Sequence, residues 1–214
     1  MIHLLIAVIY LSFISLGLPD GLLGAGWPTM YPELGVPVSY AGIISMIIAL
    51  GTILSSLMSD RLTYALGSGK VTALSVATTA AALLGFSCTG SFWLLCLWAI
   101  PYGLGAGSVD ASLNNYVALH YSSRHMSWLH CMWGVGASVG PYIMGFVLTA
   151  GDHWSLGYRY VGILQVVLSA GLVLSLPLWK SRRSVEGEKT GSKPLPLSRV
   201  VKIRGAKDKG GRWI

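Results

Sequence analysis

The stretch VTALSVATTAAALLGFSCTGSFWLLCLWAIPYGLGAGSV, residues 71–109, contains no Asp, Glu, Lys or Arg. A helix that crosses the hydrocarbon core of a bilayer needs about 20 apolar residues, so this stretch is too long for one span. The residues CTGS, 88–91, divide it, because Gly and Ser favour turns. The stretch therefore predicts two membrane-spanning helices joined by a hairpin connection.

The rest of the chain has the same character. Of its 214 residues, 53% are apolar and only 11% are charged, whereas a soluble domain carries about 25% charged residues. The apolar segments are long and do not alternate with polar residues, which argues against an outer-membrane barrel. We predict an all-α membrane protein with a six-helix bundle over residues 1–179, whose spans lie near residues 3–26, 39–59, 70–90, 92–119, 126–149 and 157–179.

The basic residues predict the orientation of this bundle. With the N-terminus in the cytoplasm, fourteen of the fifteen Lys and Arg residues fall in cytoplasmic segments, and Arg159 is the exception. Because positive charge concentrates on the cytoplasmic side, both termini are expected there. We place the protein in the cell membrane (inner or plasma membrane). The net charge of +7 follows from this topology and indicates no nucleic-acid partner.

Residues 180–214 form a second region, rich in Pro, Gly, Ser and Lys. This composition predicts a basic, mostly disordered cytoplasmic tail. Cys88, Cys96 and Cys131 form no CxxC pair, and the five His residues are scattered. We therefore expect no metal site, no cofactor and no enzymatic activity.

Two acidic residues lie inside the predicted spans. Asp20 follows Pro19 in the first span and Asp110 lies in the fourth, each among Gly and Leu residues. A charge in hydrocarbon is costly, so such residues usually face a cavity and take part in function. Asn114 shares a helix face with Asp110, four residues away. The matched positions of the two acids indicate two inverted three-helix repeats, an arrangement found in secondary transporters.

These motifs resemble the major facilitator superfamily, and within it the fucose permease-like sugar:proton symporters. LPDGLL, residues 18–23, is similar to the acidic motif of the family's first helix, and GLGAGSVDASLNN, residues 103–115, to that of its fourth helix. The resemblance implies that Asp110 carries the coupled proton and that Asp20 contacts the solute or takes part in coupling. It also implies a set of solute-binding residues: Asp20, Asn114, His130 and Trp133.

Two further motifs resemble parts of the superfamily. SSLMSDRLTYALGSGKV, residues 55–71, is similar to its signature loop after the second helix, which implies that Asp60 and Arg61 form helix-end ion pairs at a cytoplasmic gate. GVGASVGPYIMG, residues 134–145, resembles the Gly-rich motif of drug–proton antiporters, although close helix packing also explains these glycines. Those antiporters place an Arg early in the fourth helix, where this chain has Ala99.

The resemblance implies proton-coupled transport of a small, sugar-like solute across the bilayer by alternating access. Facilitators have about twelve spans in two six-helix halves, and this chain is similar to the N-terminal half. We therefore expect a truncated or half-length facilitator whose partner is a C-terminal six-helix half or a second copy. Two alternatives stay open: a proton-coupled antiporter that exports amphipathic compounds, and a fragment that does not transport.

Overall fold

The computed structural model describes the backbone of residues 2–189 and the side chains of residues 4–179. All the longer elements in this part of the chain are α-helices, and a single 3₁₀ turn precedes α3. The α-helices are α1 (Ile2–Gly17), α2 (Leu22–Glu33), α3 (Ala41–Leu66), α4 (Ser68–Ser87), α5 (Phe92–His120), α6 (Ser123–Thr149) and α7 (Trp154–Lys189). Residues 190–214 of the predicted tail lie outside the described residues.

Six segments of the described chain are long and apolar enough to cross a membrane. The first combines α1 and α2, and each of the other five contains one of the helices α3 to α7. This confirms the predicted all-α fold with six membrane-spanning helices. The segments that contain α4 and α5 are the most buried, whereas those of α3 and α6 are the most exposed. Apolar side chains on α3 and α6 are thus available for contacts outside the described bundle.

The first span differs from the prediction in length and in continuity. It continues to Glu33 rather than ending near residue 26, and it is interrupted between Gly17 and Leu22. Pro19 lies in this interruption and has no N–H to continue the helix. After it, α2 continues through Pro28 to Glu33, since membrane helices tolerate proline where neighbouring groups satisfy the backbone.

The predicted loop after the second span is largely helical. The expected spans left residues 60–69 between them, but α3 continues to Leu66 and α4 begins at Ser68. Only Gly67 connects the two helices, with φ of 84°, a value that glycine adopts at little cost. Charged residues mark the end of an apolar stretch of sequence, but the helix can continue beyond them. The same reason explains why α7 continues to Lys189, past the predicted boundary at residue 179.

The six spans form two three-helix units, the first from α1 to α4 and the second from α5 to α7, and the helices of one unit pack on those of the other. The first helix of each unit packs along the second helix of the other, so that α1 lies on α6 and α5 lies on α3. The third helices, α4 and α7, pack on each other. Three crossings reverse the direction of the chain, and the second unit therefore starts from the opposite side of the membrane. This pairing agrees with inverted repeats.

Glycines allow the two long pairs of helices to approach closely. A Cβ at Gly136 or Gly140 of α6 would collide with the backbone of α1 and of the turn that follows it, at Ile14 and Leu18. In the other pair, a Cβ at Gly103 of α5 would collide with the carbonyl oxygen of Ile48 in α3. Small residues at such contacts let the backbones pack together in a membrane. In the Gly-rich motif at residues 134–145, the two buried glycines, Gly136 and Gly140, therefore have a packing role.

Candidate functional site

The break between α1 and α2 places Asp20 at a turn inside the membrane span. The N–H of Asp20 donates to the carbonyl of Gly17 at 3.1 Å, and the N–H of Leu22 donates to the carbonyl of Pro19 at 3.1 Å. Both bonds reach back three residues instead of four, which tightens the chain as in a 3₁₀ turn. The Asp20 residue is exposed on the surface of the bundle.

Two side chains from other helices hold the Asp20 carboxylate. The Tyr102 hydroxyl of α5 donates to Oδ1 at 3.1 Å, and the Trp133 indole N–H of α6 donates to Oδ2 at 2.8 Å. Hydrogen bonds to an ionised acceptor are among the stronger ones. The site thus joins the first, fourth and fifth spans. Trp133 was predicted as a solute contact, and here it binds Asp20 and is itself 40% exposed.

A cleft of about 420 Å³ opens beside Asp20. Asp20 is the one charged residue among those that line it, and Ser45 adds a hydroxyl. The aromatic rings of Phe86, Tyr102 and Tyr158 contribute to the wall, and the rings of Phe86 and Tyr158 lie 5.4 Å apart between centroids. The cleft combines one carboxylate with apolar and aromatic surface, which is the usual composition of a small-molecule site.

Asp110 and Asn114 contact each other on α5, as their spacing predicts. The Asn114 Nδ2 group donates to Asp110 Oδ1 at 2.9 Å. The other amide atom, Asn114 Oδ1, is buried and has no hydrogen-bond partner among the described residues. A buried acceptor without a partner is costly and calls for an explanation. One explanation is that a bound molecule supplies the donor.

His130 lies near this pair. Its ring meets the ring of Phe13 edge-on, with centroids 6.1 Å apart, and it is close enough to Asp110 for an electrostatic interaction. The Asp20 and Asp110 carboxyl groups are also close enough for an electrostatic interaction. The structure therefore brings Asp20, Asp110, Asn114, His130 and Trp133 into one neighbourhood.

Asp60 and Arg61 do not belong to this neighbourhood. Both are exposed residues of α3, not of a loop. Among the described residues, no hydrogen bond or ion pair of either side chain was found. Their role in a gate stays a prediction. The described part of the chain also contains no group of three His, Cys, Asp or Glu residues placed to hold a metal ion.

Comparison with known proteins gives the family. The sequence model of the Major Facilitator Superfamily matches residues 9–209 of the chain. The chain belongs to this superfamily. A relative is the uncharacterized transporter y4wD of Sinorhizobium fredii (strain NBRC 101917 / NGR234), which is 25% identical over 128 residues. The match covers 56% of this chain, and the chain spans only 34% of that transporter.

Membership in this superfamily agrees with the six apolar helices. The chain is a multi-pass membrane protein of a superfamily of transporters. Sequence reasoning missed Tyr102, which forms half of the support of Asp20. The available signal was its hydroxyl in an otherwise apolar stretch, since a buried Tyr usually finds a hydrogen-bond partner.

Proposed function

We propose that this facilitator chain takes part in proton-coupled transport of a small, sugar-like solute by alternating access, as fucose permease-like symporters do. In this proposal Asp110 carries the proton. Asp20, Asn114, His130 and Trp133 contact the solute. The protein lies in the cell membrane with both termini in the cytoplasm, and Asp60 and Arg61 belong to the cytoplasmic gate.

The observation that carries the proposal is the free acceptor of Asn114 beside Asp110. A hydroxyl group of a solute could donate to Asn114 Oδ1, which is buried and has no partner among the described residues. The same amide already donates to Asp110 at 2.9 Å. Binding of the solute and protonation of Asp110 would therefore act on one hydrogen-bonded pair, which gives a direct physical link between the two events.

The cleft at Asp20 supports a solute with both polar and apolar faces. The Asp20 carboxylate has acceptor capacity beyond the bonds from Tyr102 and Trp133, and it can receive hydroxyl donors. The rings of Phe86 and Tyr158 line the same cleft and offer flat surfaces to the C–H face of a sugar ring. The volume of about 420 Å³ is within the usual range for small-molecule sites.

Proton coupling follows from the cost of charge in the membrane. An ionised Asp110 is costly inside a closed bundle, whereas its protonated form is neutral. A carboxyl group that takes a proton on one side of the membrane and releases it on the other couples the two movements. The protein would then switch the side from which its site is accessible mainly when proton and solute are bound. The shift of an equilibrium between two such states requires a difference in interaction energy between them.

The proposal includes a partner for the exposed polar surface. Asp20, His130 and Trp133 are exposed in the single chain, and a midplane site in this superfamily lies between two six-helix units. We propose that a second six-helix unit or a second copy covers this surface. Cys131 is exposed on α6 next to His130, so a short bismaleimide should link two chains there if the partner is a second copy.

Uptake into membrane vesicles from the source cell tests the proposal, because any partner is present there. With an outside-acidic gradient, we expect accumulation of radiolabelled hexoses or deoxyhexoses that depends on the chain. Asp20→Asn should lower uptake at low solute concentration by about tenfold or more, since it removes a charged hydrogen-bond acceptor. Asp152→Asn, an exposed acid in the connection before α7, should leave uptake unchanged.

One observation favours a different function, export of amphipathic compounds by antiport. Most of the residues that line the cleft are apolar or aromatic, and such a surface also accommodates amphipathic compounds. The direction of transport separates the two functions. Efflux of an amphipathic dye driven by the outside-acidic gradient, without sugar uptake, would contradict the sugar symporter and support the antiporter. If neither movement depends on the chain, the transport proposal fails.

A further inference from the structure

The break in the first span leaves the backbone carbonyl of Ser15 without its usual donor. In a continuous helix the carbonyl of Ser15 would accept from the N–H of residue 19, but residue 19 is proline and has none. The neighbouring N–H groups are engaged elsewhere, since Leu18 donates to Ile14 at 3.0 Å and Asp20 donates to Gly17 at 3.1 Å. The Ser15 carbonyl therefore needs a donor from outside the helix.

Gln165 of α7 supplies that donor. Its Nε2 group donates to the Ser15 carbonyl oxygen at 2.5 Å, and its Oε1 atom accepts from the Ser15 hydroxyl at 2.8 Å. Both residues are only 1% exposed, and they are 150 positions apart in the chain. One side chain thus uses both of its polar ends on one residue, immediately before the break.

We infer that Gln165 is a positioning residue, which stabilises the break in the first span and thereby holds Asp20 toward Tyr102 and Trp133. Without the amide, a buried carbonyl would lack a partner in a region from which water is largely excluded, at a cost that favours rearrangement of the turn. Asp20 lies at the end of the same turn, five residues after Ser15. A change in the turn therefore moves its carboxylate relative to its two donors.

This structural role is independent of transport, whereas its importance for transport rests on the proposed function of Asp20. Gln165 does not line the cleft beside Asp20, and its two hydrogen bonds act on the site through Ser15 and the turn. A long, flexible side chain of similar size, methionine, can fill the same space without the hydrogen bonds. Gln165→Met is therefore a suitable variant that separates hydrogen bonding from packing.

The test is a double-mutant cycle in the full chain, with Pro19→Ala as the second change. The alanine of this variant restores a backbone N–H that can bind the Ser15 carbonyl. In the wild-type background, Gln165→Met should lower the ratio of folded to unfolded protein in a dodecyl sulfate titration by about tenfold or more. In the Pro19→Ala background the same change should cost less than about threefold, because the carbonyl has a backbone donor.

A second measurement follows the position of Asp20 directly. Carbodiimide labelling of Asp20, quantified by mass spectrometry of its peptide and divided by the labelling of exposed Asp152, should change by about threefold or more in Gln165→Met. The control is Ser169→Ala, one turn further along α7. Its hydroxyl is also buried and donates to the Ala73 carbonyl at 3.4 Å, away from the break. This control should leave the labelling ratio unchanged.

Two results would overturn the inference. One is an equal loss of stability on Gln165→Met in both backgrounds, and the other is unchanged labelling of Asp20. Neither measurement requires transport. If both behave as expected while sugar uptake does not depend on Asp20, the positioning role stands and the proposed function of Asp20 fails.

Discussion

The contact between α6 and the first span gives a quantitative prediction for Gly140→Ala. A Cβ at Gly140 would overlap the carbonyl oxygen of Leu18, and a backbone atom cannot move aside as a flexible side chain does. Overpacking costs about 1–3 kcal/mol, and a backbone obstacle places this case at the upper end. Alanine recovers about 1 kcal/mol of helix propensity, so we expect a net loss of about 2 kcal/mol.

Gly145→Ala is the matched control on the same helix. A Cβ at Gly145 meets no atom within 4 Å, so only the gain of about 1 kcal/mol in helix propensity remains. The two variants should therefore differ by about 3 kcal/mol, roughly a hundredfold in the ratio of folded to unfolded protein. The ratio is measured by circular dichroism during a dodecyl sulfate titration in mixed micelles. If Gly140→Ala is as stable as Gly145→Ala, the packing role of Gly140 is refuted.

Three further predictions concern the topology, the contact between Glu33 and Trp154, and the partner. Reporter fusions after Gly35 should lie outside the cell and fusions after Gly67 inside, and the reverse pattern would overturn the orientation. Glu33→Ala should lower stability by about 1–3 kcal/mol, because the buried Trp154 indole N–H donates to Glu33 at 2.8 Å; Glu33→Gln, which keeps an acceptor, should cost clearly less in the same titration. The purified chain in proteoliposomes should take up solute far more slowly than source-cell vesicles, and equal rates without a crosslinked dimer would contradict the need for a partner.

The six-helix fold followed from features that a sequence displays directly. Apolar runs and the turn at residues 88–91 depend on local composition, and the membrane allows few alternatives to helices. The predicted ends of the spans agreed less well with the ends of the helices. The charged residues at 60 and 61 mark the limit of an apolar window, but α3 continues to Leu66, because a helix that leaves the hydrocarbon does not have to end.

Contacts within the candidate site could be predicted from spacing only where the two residues are close in the chain. The contact of Asp110 with Asn114 spans four residues, and helical spacing predicts it. The partners of Asp20 are 82 and 113 residues away, and no local pattern says which helix faces it. Trp133 was recognised as part of the site without its bond to Asp20, and Gln165 was not recognised at all, because its role depends on a carbonyl in another helix.

The most direct test of the proposed coupling is the effect of Asp110→Asn on two modes of transport in source-cell vesicles. One mode is accumulation driven by an outside-acidic gradient, and the other is exchange of labelled for unlabelled solute without a gradient. If Asp110 carries the proton, the variant should lose accumulation while part of the exchange remains, because asparagine preserves the size of the side chain and cannot bind a proton at neutral pH. Accumulation at the wild-type level with its normal dependence on pH would contradict the account.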